Sequence, residues 1–263
     1  MRYVMNAMRM NLRRAAQYRS SFWMQTLAQI VMTFGDLWAM LLLAERFGGM
    51  AHWRLHEVMF FFGPMQIAFA ITEMINRGFG HISTLIRMGN LDTMLTRPRG
   101  IAAQVILSEL DPRRIGSVAV GLTALIVATR ELGMHWTLPN ILLILWGMAG
   151  AIALMMGLFM LEAVVTLFSV QSVEIVNVFT YGGRQTCQYP LDLSPKWLRI
   201  TFTFVIPVGL CLQYPVCYVL GKPLGDVTVG SWVWLTPLAG PCFLGLMWLL
   251  WKWGLKHYRS TGS

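Results

Sequence analysis

Along the chain, apolar windows close to the roughly 20 residues of a bilayer-crossing helix alternate with short polar segments. The windows fall at 22–44, 58–75, 115–129, 141–161, 163–181 and 232–251. They are continuously apolar and do not alternate with a period of two, so they predict an all-α membrane protein and disfavour a β-barrel. Gly63–Pro64 predicts a kink in the second window. The third is short and is expected to extend back into 101–114 as a bent or longer helix. From 141 to 181 the run is almost continuously apolar, interrupted by Glu162, Gln171 and Glu174. As one helix this run would be about 60 Å long, twice the bilayer core. Two helices in a hairpin that turns near Glu162 are therefore expected.

The polar segments sort the ends of these helices. Residues 1–20 carry Arg2, Arg9, Arg13, Arg14 and Arg19 among Val4, Met5, Met8 and Leu12, which predicts a basic amphipathic elbow helix on the cytoplasmic membrane face. The final window ends in Lys252, Lys256 and Arg259, and the positive-inside rule places both termini in the cytoplasm. Residues 76–114 form a polar, arginine-rich cytoplasmic region. Residues 189–223 are apolar but hold prolines at 190, 195, 207, 215 and 223, which remove backbone donors and break helices. Counting this stretch as a crossing would make seven spans and put the basic C-terminus outside. Six spans with an outer re-entrant element before the last one satisfy both ends, because broken backbone at membrane depth is tolerated where protein covers it. One rival keeps the same parity: 163–181 lies along the inner face and 201–220 spans instead.

Composition agrees with the membrane assignment. The chain is 56% hydrophobic and 13% charged, against about a quarter charged in soluble proteins. No polar block is long enough for a soluble domain, so 1–263 reads as one membrane domain. The net charge of +9 sits in clusters that flank the apolar windows, which favours membrane edges over nucleic acid as the partner. Cys187, Cys211, Cys217 and Cys242 lack a CxxC or a companion histidine at metal-ligand spacing, and packing thiols are expected. No metal site is predicted. The only Gly-Lys pair, Gly221-Lys222, precedes proline, so no P-loop is present, and no metalloprotease or serine-hydrolase motif occurs.

Carboxylates inside apolar windows are costly and usually face a bundle interior or a cavity. Asp36 and Glu174 are the candidates for lining a pathway, with structural partners across a helix interface as the alternative. Glu73 and Glu162 lie near window edges, where snorkelling to water accounts for them. Gly147/Ala151 and Ala153/Gly157 form small-xxx-small pairs that allow close helix packing, within the chain or against a second membrane subunit.

Two stretches carry a resemblance. "IRMGNLDTMLTRPRG" resembles the G-x-L-D-x-x-L-x-R-P signature of the ABC-2 family of transporter permeases, in its small six-span branch, through Gly89, Leu91, Asp92, Leu95, Arg97 and Pro98. The stretch from Tyr189 is similar to that family's proline-rich pattern through Tyr189, Pro190, Leu191, Pro195, Trp197, Leu198, Pro207, Leu220 and Gly221, with Pro215 inside it. "AAQYRSSFW" is also similar to this branch. The resemblance implies the permease subunit of an ABC exporter. A separate ATPase subunit would supply ATP and Mg chemistry, and this chain would bind no cofactor of its own. A second six-span permease, a related chain or a second copy, would complete the path in the inner membrane. Gly89, Leu91, Asp92, Leu95, Arg97 and Pro98 would couple to the ATPase. The proline-rich element would close the outer side. Many family members carry an arginine shortly before the final Leu-Gly of this element; here "QYPVCYVLG" has none, so that arginine's role does not transfer.

Two further classes stay open on the residues alone. One is an intramembrane enzyme that uses buried carboxylates such as Asp36, Glu162 or Glu174. The other is a membrane assembly subunit with no transport of its own.

Overall fold

The computed structural model describes residues 19–46, 52–169, 173–225 and 227–258. All regular elements among them are helical, apart from one isolated bridge between Leu224 and Val227. The first helix, α1 (Arg19–Arg46), is followed by α2 (Leu55–Gly80), the short α3 (Ile82–Arg87) and α4 (Asn90–Leu95), and then α5 (Ile101–Ser108). Helices α6 (Ile115–Glu131), α7 (Leu138–Phe168) and α8 (Val173–Cys187) continue the bundle. The proline-rich stretch contributes α9 (Lys196–Ile200) and α10 (Tyr214–Leu220), and α11 (Ala239–His257) closes the fold.

Helix α2 is the axis. In its apolar window 83% of positions are buried inside the fold, against 22% for α1 and 28% for the last helix. It packs most extensively on α6 and α7, meets α5 near its C-terminal end at Gly78, and meets α8 at Gln66, Phe69 and Glu73. Gly63–Pro64 leaves α2 unbroken as a helix. Gly63 serves close packing: an added Cβ would lie 2.9 Å from the Leu125 side chain and 3.0 Å from the Gly121 carbonyl on α6.

The expected hairpin turn near Glu162 is corrected. α7 runs unbroken for 31 residues through Glu162 to Phe168. Glutamate is a good helix former, and no glycine or proline follows it before Phe168, so one polar side chain does not end the helix. The Thr166 hydroxyl donates to the Glu162 carbonyl at 2.7 Å, inside the same regular turn. The expected backward extension of the third window is also corrected. A separate α5 and a single 3₁₀ turn, Pro112–Arg114, precede α6, because the Asp111 N–H turns away to donate to the Met74 carbonyl of α2. Of the elbow expected over 1–20, only 19 and 20 lie within the described residues, and they already belong to α1.

Among the described residues, four helical stretches are long and apolar enough to cross a membrane: Ser20–Leu43, Leu55–Arg87, Leu138–Phe168 and Ser231–His257. A fifth would be the pair Lys196–Val205 and Gly209–Leu220 if counted as one, although its arms meet at 85°. Proline 207 sits at that corner, where no backbone N–H is available to continue the helix. The described residues therefore form a helical bundle with four to five such helices.

The small residues of α7 are spent on several neighbours. Gly147 faces the Cys211 carbonyl and Pro215, Gly157 faces the Phe243 ring, and Gly150 meets Gly240 of α11 backbone to backbone. α7 and α11 form one of the two most extensive helix pairs among the described residues, the other being α2 with α6.

Candidate functional site

The motif at 89–98 becomes a compact corner beyond the C-terminal end of α2. Gly89, with φ +67°, opens α4 from a left-handed conformation that glycine adopts without strain. Leu91 is fully buried with Phe79, Ile82, Val105 and Trp251. The Gln104 side chain on α5 donates to the carbonyls of Met94 and Arg99 at 3.1 and 3.3 Å, which staples the turn between α4 and α5. Asp92 accepts a hydrogen bond from the Tyr258 hydroxyl, just past α11, and burial together with this carboxylate pushes the Tyr258 phenol up from its usual range. Leu95, Arg97 and Pro98 face outward on the same corner. The motif is thus split between an anchored half and a presented half.

Next to this corner lies a dense ionic cluster. The Glu73 carboxylate on α2 is 2% exposed and meets Arg114 at 2.7 Å and Arg77 at 4.0 Å. The Tyr181 hydroxyl on α8 donates to it at 3.5 Å. Arg113 and Arg114 both pair with Asp111, and they reach Gln25 and Gln29 on α1. His81 meets Glu109 at 2.8 Å. Three helices, α1, α2 and α8, and the turn before α6 are held together here by charge-assisted hydrogen bonds, the stronger class.

Deeper in the bundle, Asp36 on α1 pairs with Arg184 on α8 at 2.9 Å. Arg184 also donates to Gln66 on α2 at 3.0 Å, and Gln188 donates to the same oxygen at 2.9 Å. The guanidinium lies 5.1 Å from the centre of the Phe69 ring. Asp36 therefore has a structural partner. Glu174 is exposed on the first turn of α8, about 15 Å of helix rise from Arg184. The two carboxylates expected to line one pathway are not brought together.

Glu73 and Glu162 are the reverse case. Both were expected to snorkel to water, yet they are 2% and 3% exposed and line one cavity of about 230 Å³ between α2, α7 and α8. No local signal separates them from Asp36 and Glu174; only the packing of α8 across α2 and α7 covers them.

At the other end of α2, 26 residues or about 39 Å away, the proline-rich element is tied down at both of its ends. Asp192 accepts from the Trp53 indole N–H at 3.0 Å and meets His52 at 2.9 Å. Lys222 pairs with Glu57 at 2.7 Å and lies 5.2 Å from the centre of the Trp53 ring. The element enters and leaves beside the same tryptophan. Inside it, Gln213 donates to the carbonyls of Cys187 and Tyr189 at 2.8 Å and accepts from the Leu191 N–H at 3.2 Å. Pro190 and Pro215 are buried, Pro195 and Trp197 are exposed, and Gly221 ends α10 with φ +66°.

Removing the Asp192 carboxylate leaves the buried Trp53 N–H unpartnered, a cost of about 1–3 kcal/mol. Cys217, fully buried in α10, reports on that loss. Asp192→Ala is expected to speed maleimide modification of Cys217 by about tenfold for each ~1.4 kcal/mol lost to local opening. An unchanged rate, measured by peptide mass spectrometry, removes the tether.

A family model described as ABC-2 family transporter protein matches residues 30–262, nearly the whole chain and including both motif-bearing stretches. The chain belongs to that family. Curated proteins and solved structures yield no significant match. As an ABC-2 family transporter protein, the chain is a multi-pass membrane protein and a permease subunit of an ABC transporter, working in the membrane with an ABC ATPase and not itself serving as the ATPase.

Proposed function

We propose that this permease exports its substrate, with both termini in the cytoplasm of a cell that carries it in the inner membrane. The split corner at 89–98 is the observation that carries the reading. Leu91 and Asp92 anchor it to the core and to Tyr258 at the end of α11, while Leu95, Arg97 and Pro98 are left free to meet a partner surface. An ATPase that binds ATP and Mg docks on Gly89–Pro98, and its movement passes into α2 and α11 through these anchors. Such coupling requires contacts that differ between two states.

The proline-rich element closes the far side as a re-entrant structure. Supporting this are the 85° corner, the meeting of both ends at Trp53, and about 39 Å of α2 between Trp53 and the docking corner. With that element returning, α1, α2, α6, α7, α8 and α11 make six spans. A second six-span permease, related or identical, completes the path.

Arg97→Glu and Asp92→Asn test the docking assignment in the assembled transporter. Arg97→Glu reverses an exposed charge at the contact and is expected to lower ATPase co-purification and ATP-driven export by about tenfold or more, in the range of a hot-spot loss. Asp92→Asn is expected to keep the ATPase bound while reducing the coupling of hydrolysis to export. If assembly and transport survive both changes, the corner is not the docking site.

A further inference from the structure

The cavity lined by Glu73, Arg77, Phe159, Glu162, Asn177 and Tyr181 plays no part in the docking corner or in the proline-rich element. Its volume of about 230 Å³ leaves room for several waters or one small solute. It lies between the last turns of α2 and α7 and the face of α8. Glu73, one of its two carboxylates, is already paired with Arg114 and accepts from Tyr181.

Glu162 is different. It is 3% exposed, and its Oε2 has no hydrogen-bond partner. On the same wall system Arg77 keeps a buried Nε–H without a partner, and its approach to Glu73 is a loose 4.0 Å. A buried carboxyl oxygen and a buried guanidinium N–H, on two residues that line one cavity, are costly unless something else completes them. Phe159 and Tyr181 stand edge to face with ring centres 6.4 Å apart, which supplies aromatic surface beside the carboxylate. Aromatic faces together with a carboxylate are a recognition set for an ammonium group.

We propose that this cavity binds a small ammonium–anion zwitterion of the phosphoethanolamine type, with its ammonium on Glu162 against the Phe159 and Tyr181 rings and its anionic oxygens toward Arg77. Glu73 takes no part in ligand charge balance because Arg114 neutralises it. The site lies within about 10 Å of the end of α2, seven residues from Glu73 to Gly80, a depth that a lipid head group and a dissolved solute can both reach. The site does not rest on export or on the docking assignment, since binding needs neither the ATPase nor turnover.

The test uses the full chain in nanodiscs of phosphatidylglycerol, a lipid without an ammonium. Calorimetric titration with O-phosphoethanolamine probes the dissolved source. Native mass spectrometry of protein taken from mixed phosphatidylethanolamine and phosphatidylglycerol vesicles probes the lipid source. Saturable binding of the first, or selective retention of the second, supports the proposal and identifies the source. Glu162→Gln, which keeps shape and removes charge, is expected to weaken whichever binding is seen by about tenfold or more, the loss of a charge-assisted hydrogen bond. Glycerol 3-phosphate, which has the anion alone, is expected to bind the wild-type chain at least about tenfold more weakly on the same grounds. This comparison stands even if the variant fails to fold. Absence of both kinds of binding, equal binding of glycerol 3-phosphate, or no change in a folded Glu162→Gln protein each overturns the proposal.

Discussion

Replacing Glu73 by alanine is expected to destabilise the protein by about 3–5 kcal/mol, the range for removing one partner of a buried ion pair. The carboxylate is 2% exposed and Arg114, its partner at 2.7 Å, is only 17% exposed. Without Glu73, Arg114 and Arg77 face each other across a buried space with Asp111 as the nearest compensation for Arg114. The damage spreads because Arg114 also holds Gln29 of α1 and Tyr181 of α8 loses its acceptor. Thermal unfolding of the detergent-purified chain measures the effect. The double variant Glu73→Gln, Arg114→Gln is expected to recover part of the loss, since it removes both charges of the closest pair; with the Glu73→Gln and Arg114→Gln single variants it gives the coupling of the pair. A single Glu73→Ala variant as stable as the wild type would show that the cluster does not hold the helices together. Glu162→Gln is the contrast. Its Oε2 makes no bond in the fold, so its midpoint is expected to stay close to the wild type.

Gly240→Ala is expected to be the most damaging of the glycine substitutions in α7 and α11. The added Cβ would overlap the Gly150 carbonyl, which is backbone and has no rotamer by which to withdraw. α7 and α11 must then separate, and overpacking of this kind costs about 1–3 kcal/mol and sometimes more. The chemistry of the neighbour sets the order of the series. At Gly157 a Cβ would meet the Phe243 ring at 2.7 Å, a side chain that can shift, so a smaller loss is expected. At Gly245 nothing lies within 4 Å, and alanine there is expected to be neutral or slightly stabilising. Thermal midpoints of the three variants check the order. If Gly240→Ala unfolds no earlier than Gly245→Ala, the close approach of these helices is not a real constraint.

Much of the fold is readable from local sequence because the cost of placing a helix in a bilayer is summed over one window at a time. That is why the apolar stretches around α1, α2, α7 and α11 stand out. The corner at 89–98 is equally local: the Gly-x-Leu-Asp spacing places Leu91 two residues after Gly89, in the first turn of α4, and glycine adopts the φ of +67° there without strain. Glu162 shows the limit. As an isolated charge in an apolar run it suggested a turn, but helix propensity and the regular turn through Thr166 keep α7 continuous. Asp36 and Glu174 have similar surroundings in sequence, yet one meets Arg184 and the other meets solvent. Their difference comes from α8's orientation across α1 and α2.

The sequence by itself determined the class of protein, the places of its most apolar helices, the proline-broken segment and the two motifs through which it is similar to ABC-2 permeases. All of these depend on residues within one or two helical windows. Only the tertiary structure decided which charges are paired, which carboxylate is left open and where the cavity lies. Those outcomes depend on contacts between residues far apart in the chain, such as Trp53 with Asp192, Asp36 with Arg184 and Gly150 with Gly240. Local hydropathy cannot set them, because a helix of given composition inserts at nearly the same cost whichever face it turns toward its neighbours, and packing alone chooses the face.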